Sequence, residues 1–500
     1  MRSKSKRTLK RCSINHFIPL IALIALLTYS NGAYGQFSGK ILTEVQAGKL
    51  PSDTATFVSA YNRSILNYQF GKFRAGITLE EYLTPFTNRN YFRFNQIRLQ
   101  YRSKHLDVKI GNFNYTPGRG IFLRTYEVPG AILEDLSYRS RHYFQRDFSG
   151  VLVRLNKGGL SLELAGGKPL DNVIPPVYED TWLSVNPINN NRRIDQIVSG
   201  KLTYDISGQT IGTQWMLLNQ QDVFGSFNMN GVVGSGLSYY AEGAQLIGPD
   251  KASALYVNLN YDWMKFGISS EFKFYENFNL GTGFNEPPAL IKQHTYRVLN
   301  RSTHVSDPFD EKGFQLEAYY FTEDLTTITL NVAHALNDFG VTFKFTEFFL
   351  ELDRPINDHS LKLFMDYAND QLKSEEHRIS FGSHVDWKIP KKRVLTTELE
   401  LQQFQRFGES TFNALTAVGL KVNQKLNFAI TYEISTDPFL INNSSATRSW
   451  IGASGRFKVN SNNELMFFAG TRRGGPACTS GICYEVLDFE GLEIRYSLRL

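Results

Sequence analysis

In Ile97-Arg98-Leu99-Gln100-Tyr101-Arg102 every second residue is apolar and every intervening one is charged or an amide, the spacing of a strand with two unlike faces. After the turn Ser103-Lys104-His105 the same alternation resumes as Leu106-Asp107-Val108-Lys109-Ile110, so the two runs read as a hairpin. The pattern returns in Val151 to Leu155 and Leu160 to Leu164 around Asn156-Lys157-Gly158-Gly159, and again in residues 255–261, 341–345, 361–367 and 395–402. No helical periodicity of useful length competes with it. The chain is therefore expected to be all-β.

So many two-faced strands leave two architectures, a set of soluble sheets or one closed membrane barrel. In a soluble barrel of this many strands, one inward side chain per position could not fill the interior. A membrane barrel inverts the faces, with aliphatic and aromatic residues toward lipid and charged or amide residues toward a wet lumen. Charged residues at 20% then cost little, and aromatics at 14% suit interfacial girdles. No linker, low-complexity tract or shift of composition divides the chain, so a single large transmembrane antiparallel β-barrel over residues 36–500 is expected.

The preceding residues have their own logic. Arg2, Lys4, Lys6, Arg7, Lys10 and Arg11 precede the apolar run Phe17 to Leu27, and Ala33-Tyr34-Gly35 ends it with small residues. Residues 1–35 read as a cleaved signal peptide. Gln36 follows where a lipoprotein would place a cysteine, so no lipid anchor is expected. The basic head accounts for the formal charge of +6, and a nearly neutral mature chain does not ask for nucleic acid. Outer-membrane lipid is the expected surrounding.

Both termini of such a barrel lie on one side, so the strand number is even. Turns near 103–105, 156–159, 207–209, 390–392, 422–425 and 460–463 all fall on that side when strands are counted from either end. The two counts disagree by one unless the long stretch 277–311 hides a strand, for which residues 291–300 are the candidate. With it the count is about 24, within an acceptable range of about 16 to 26. Leu492, Ile494, Tyr496, Leu498 and Leu500 alternate with polar residues to the last position, as in the strand read by barrel-assembly machinery. Such strands usually finish in Phe or Trp, and this one finishes in Leu500.

Three segments stand apart from the strand grammar. In 111–127, Gly118 and Gly120 around Arg119 are followed by no helix, so a phosphate loop fails its context and a close backbone approach fits better. Arg119, Arg124 and Glu127 are expected in the lumen, as a charge network or as solute contacts. In 285–317, His294, Arg297, Arg301 and His304 gather near Asp307, Asp310 and Glu311 beyond Pro287-Pro288. Their spacing is too loose for a metal site, so a lumen-folded or surface loop is expected, with solute contact as the functional alternative. The third, 169–193, carries Tyr178 and Trp182 in an external loop. No local catalytic signature appears, and neither enzymatic activity nor a cofactor is expected.

Cys478 and Cys483 lie in the external connection before the last strand of an exported chain. A structural disulfide is expected there, ahead of redox chemistry or metal binding. Gly111-Asn112-Phe113, the run Gly118 to Glu127, Asp147-Phe148-Ser149-Gly150, and the ending Gly474-Gly475, Cys478, Gly481, Cys483, Phe489-Glu490-Gly491 together resemble a family of Bacteroidota outer-membrane β-barrel proteins of uncharacterised function. That resemblance implies the outer membrane and a barrel and carries no substrate. The expected function is an outer-membrane channel or transport barrel, porin-like, for hydrophilic solutes. The alternative is a non-conducting scaffold or binding subunit of a surface complex, partnered by a surface lipoprotein or another subunit, with its lumen closed by loops such as 277–311.

Overall fold

The computed structural model describes residues 35–50, 55–86, 89–135, 140–171, 193–278, 280–281, 290–305, 310–438, 447–479 and 482–500. Among them 24 strands form one continuous antiparallel sheet. Its first strand, β1 (Gln36–Lys49), pairs with its last, β28 (Phe489–Arg499), in a register from Lys40↔Arg499 to Lys49↔Glu490. The sheet is thus closed, and no edge is left with unpaired backbone groups.

The alternation seen in sequence becomes the two surfaces of the wall. Ile97 and Leu99 are each 54% exposed, whereas Gln96 between the same strands is 6% exposed. On the last strand Leu492 and Ile494 face out while Glu493 is buried. Buried Glu44, Arg63, Glu80, Glu242, Glu347, Arg378 and Glu400 repeat the inversion around the barrel. Only an apolar solvent outside and polar contents inside make such a surface stable.

The connections differ by end. At the end carrying both termini every turn is short, as at residues 71–72, 207–208, 357–358 and 390–392. The opposite end carries the long connections 114–147, 170–196, 277–310 and 473–488. The parity reading therefore holds, but the strand expected at 291–300 does not exist. That stretch contains a short helix, α1 (Arg297–Arg301), and the 24 wall strands are completed by ordinary hairpins elsewhere. The sequence there, Arg297-Val298-Leu299-Asn300-Arg301, has no lipid face to offer.

Two small ribbons lie outside the wall sheet. One is β6 (Tyr126–Asp135) with β7 (Ser140–Arg146), between the adjacent wall strands β5 (Leu106–Phe113) and β8 (Phe148–Lys157). The other is β26 (Gly475–Thr479) with β27 (Ile482–Val486), between β25 (Asn463–Arg472) and β28. Both are bound to the inner side of the barrel, as described next.

Candidate functional site

The lumen is crossed by three of the long connections, of which 114–147 and 277–310 supply three segments docked on different sectors of the inner wall. Residues 114–125 pack on the wall from β8 to β15 (Phe266–Glu276). Ile121, Phe122 and Leu123 are almost completely buried in an apolar cluster with Phe148, Met216, Phe224, Tyr275 and Phe278. Phe278 belongs to the connection 277–310, so two loops share one core. Gly118 sits at φ +59° with its Cα against Glu242, where a Cβ would lie 2.5 Å from Oε2. The close approach lets the Arg119 backbone N–H reach that carboxylate at 3.4 Å, and the Arg119 guanidinium lies 5.0 Å from the Tyr240 ring centroid.

The β6–β7 hairpin docks on β1 to β4 (Tyr91–Arg102). Arg141 donates to Glu44, which also accepts from Arg495. Tyr143 N–H donates to Glu80 at 2.7 Å, and Glu80 also pairs with Arg93 at 2.5 Å. Arg63 reaches from the wall to Glu127 at 3.2 Å and Gln145 at 3.1 Å while covering the Tyr143 ring at 3.6 Å. Burial pushes the Tyr143 phenol up to about 12. It also raises the Glu134 carboxyl, against the pull of Arg141.

The third segment, 290–305, docks on β18 (Thr342–Ile356) through β23 (Leu426–Ser435). His294 Nε2 lies 3.2 Å from Glu347, Tyr296 donates to Glu351 at 2.6 Å, and His304 Nδ1 lies 2.8 Å from Asp370. The first N–H groups of α1, at Arg297 and Val298, donate to Glu400 at 3.2 and 2.7 Å, so a wall carboxylate satisfies donors the helix cannot. Arg297 pairs with Glu398 at 2.7 Å and Arg301 with Glu433 at 2.5 Å. Beneath them Arg378 donates to Glu347 at 2.7 Å, Asp366 at 3.0 Å, Glu375 at 3.3 Å and the Ser302 carbonyl at 2.8 Å.

The β26–β27 ribbon joins the other two. Asn300 donates to the Cys478 carbonyl at 3.0 Å and accepts from the Cys478 N–H at 2.9 Å. On the ribbon's other strand the Tyr484 ring lies 4.9 Å from that of Phe144 on β7. A continuous bridge thus runs from the β1–β4 wall through hairpin, ribbon and helix to the β18–β23 wall. Cys478 stands directly opposite Cys483 in the ribbon register. Cys478 is 4% exposed, so the connection expected at the surface is folded inward instead.

Every charged residue singled out from sequence in 119–127 and 294–304 belongs to this bridge or its docking contacts, with Arg124 half-buried in the first segment. Tyr178, Trp182, Pro287, Pro288, Asp307 and residues 1–34 lie outside the described residues. Two groups place ligand-type atoms within 4.8 Å of one another, His294 with Glu347 and Asp366, and His384 with Glu398 and Glu400. In both the carboxylates already hold guanidinium or backbone N–H groups. Residues 128–147 were not legible as luminal, although β7, at seven residues, is shorter than the roughly 9–11 residues a spanning strand needs.

Space remains beneath the bridge. A cavity of ≈ 550 Å³ lies under the β6–β7 hairpin and opens toward the short turns, with Arg74, Arg98, Lys109 and Glu127 on its walls. A second, of ≈ 520 Å³, lies below α1 between Arg297, Glu398, Arg456 and Arg472.

A family model described as "Family of unknown function (DUF6029)" matches residues 244–500. No curated protein matches. Among solved structures, the translocation pore of the P pilus usher PapC aligns at 9% identity and a TM-score of 0.50, covering 93% of this chain and 99% of that one. Acinetobacter baumannii OccAB4 aligns at 10% identity and a TM-score of 0.40, over 71% of this chain and 97% of its own.

Proposed function

The chain belongs to the family of unknown function DUF6029, and we propose that it is an outer-membrane transport barrel for hydrophilic solutes whose lumen is bridged at rest by its own loops. The observation that carries this reading is the pairing of a 24-strand polar-lined wall with luminal cavities beneath a bridge made of connections rather than of the wall itself. A wall this large encloses more space than its own side chains fill. The bridge is held by hydrogen bonds, ion pairs and side-chain packing, contacts that separate without unfolding a wall strand. A fold shared with a translocation pore is compatible with passage through the lumen. We place the protein in the outer membrane of a Bacteroidota cell, exported by a leader over residues 1–35 and inserted through its C-terminal strand; no step of this reading is catalytic.

Planar-bilayer recording tests it. Replacing residues 128–145 by a short Gly-Ser linker removes one end of the bridge while leaving all wall strands intact. That variant is expected to conduct steadily, with the wild type nearly silent. A variant that keeps the heat-modifiable gel mobility of a folded barrel yet passes neither ions nor solute sinks the transport reading.

One observation favours a second reading, a scaffold for a surface complex. The bridge is clamped at both ends by ion pairs to the wall, Arg141 with Glu44 at one end and Arg301 with Glu433 at the other. Purification in mild detergent separates the two. A stoichiometric partner, such as a surface lipoprotein, supports the scaffold, and a lone barrel argues against it.

A further inference from the structure

Charges inside this barrel are generally matched. Arg63, Arg93, Arg141, Arg378, Arg406 and Lys273 each hold a carboxylate within ion-pair distance. The cavity under the β6–β7 hairpin departs from this rule. Arg74, Arg98 and Lys109 line it, and among the described residues none of the three has a carboxylate partner within 4 Å. Their neighbours Phe73, Leu99 and Ile110 are exposed on the lipid face, so the three cations fall on the inner phase of adjacent strands. The carboxylate in the lining, Glu127, is already engaged by Arg63.

The two guanidinium groups are positioned by neutral partners. Arg98 donates to Asn67 Oδ1 at 3.0 Å and Arg74 to Gln69 Oε1 at 2.8 Å. Arg98 reaches Asn67, two strands away, by lying across Gly76. A Cβ on Gly76 would sit 2.4 Å from Arg98 Nε and 2.8 Å from Asn67 Oδ1, so the intervening strand supplies a groove that only glycine leaves open. An amide oriented this way fixes the arginine without neutralising it.

We propose that this cavity binds a small polyhydroxylated organic anion of the size of a sugar acid. Concentrated positive charge on a concave, partly water-excluded wall attracts an anion, and a planar guanidinium matches a carboxylate with two parallel hydrogen bonds. The amides of Gln36, Gln100 and Asn114 add both donors and acceptors around the same space, which suits hydroxyl groups rather than a bare ion. A volume of ≈ 550 Å³ is within the range that holds a small molecule. Gln69 and Arg74 flank the turn at 71–72, so the site faces the end that carries the short turns. The proposal rests on reading the lumen as a solute path and names the class of solute that path receives from that end.

Calorimetric titration of the purified full-length barrel in detergent with gluconate, glucose and inorganic phosphate is the test. Gluconate is expected to bind and glucose not to. Phosphate binding as tightly as gluconate would overturn the hydroxyl part of the assignment. In Arg98→Gln/Lys109→Gln the affinity for gluconate is expected to fall about tenfold or more, as for loss of charge-assisted hydrogen bonds. Gly76→Val, which displaces Arg98 without removing a charge, is expected to weaken binding in the same direction. Gluconate binding no better than glucose in the wild type overturns the proposal whatever the variants do, and so does unchanged affinity in a folded double variant. Because binding is read without conductance, a barrel that binds but never conducts defeats the transport reading alone, and one that conducts but does not bind defeats the site alone.

Discussion

Two sectors of the same inner wall handle charge in opposite ways. From β18 to β23 nearly every luminal acid and base is committed: Arg378 to three carboxylates, Glu400 to the start of α1, Glu433 to Arg301 and Arg473. Below the β6–β7 hairpin, Arg74, Arg98 and Lys109 line open space without an ion-pair partner among the described residues, and the two arginines donate to amides. The strands of both sectors share one alternation, so strand grammar cannot distinguish them. What differs is whether the connection folded onto the wall reaches the charges there. A luminal charge that a loop touches serves attachment, and one beyond the loop's reach remains available to solute.

The sharpest way to break this comparison is to remove one arginine from each sector. Arg378→Leu strands Glu347 and Asp366, both essentially inaccessible to water, and should destabilise the barrel by about 3–5 kcal/mol. Arg98→Leu strands no carboxylate and should cost less than about 1 kcal/mol. The measurement is the urea midpoint for loss of heat-modifiable mobility. Equal losses in the two variants would mean that the division between attachment and availability is wrong.

A smaller effect is expected at the ribbon that couples the bridge together. Non-reducing peptide mapping should find Cys478 linked to Cys483, and reduction should loosen the ribbon by about 2 kcal/mol, as for a ring this small. Protease cleavage near residue 480 should then accelerate in reductant. Two free thiols in the unreduced protein would remove the staple from the account.

The smallest effect is one of pH on the hairpin. Glu134 has its carboxyl raised by burial in the docked state, so that state binds its proton more readily than an undocked one. Its contribution is complete below the ordinary carboxyl value and is lost as pH rises through the raised one. Protection of the 126–146 hairpin from proteolysis should therefore improve modestly as pH is lowered from 7 toward 5, and Glu134→Gln should flatten that dependence. A wild-type profile as flat as the variant's would remove Glu134 as the cause.

Much of this molecule is legible from residue spacing. Period two fixes which residues face lipid, as Ile97 and Leu99 against Arg98 and Gln100 demonstrate, and the short turns fix which end is which. The strand expected at 291–300 failed because counting treats every long gap as a candidate for wall. The segment spends its polar groups on Glu347, Glu400 and Glu433, residues about 50 to 130 positions away. Sequence singled out His294, Arg297, Arg301 and His304 from their local density, yet their partners are set by how the sheet curls. The β6–β7 hairpin was missed for the same reason, since its contacts with Glu44 and Glu80 are invisible along the chain. The open cations were missed because Arg74, Arg98 and Lys109 look like any other inward residue until their lack of counter-charges is seen in space.

The seam between β1 and β28 joins the two wall strands farthest apart along the chain. Loop-closure entropy makes that pairing the most costly contact in the sheet to form, and it completes the enclosure. The ribbon that pins α1 through Asn300 and Cys478 is threaded between β25 and β28, so it reaches its place with the closing strand. Enclosure and obstruction are therefore reached together. The strand that closes this barrel carries part of its own obstruction with it.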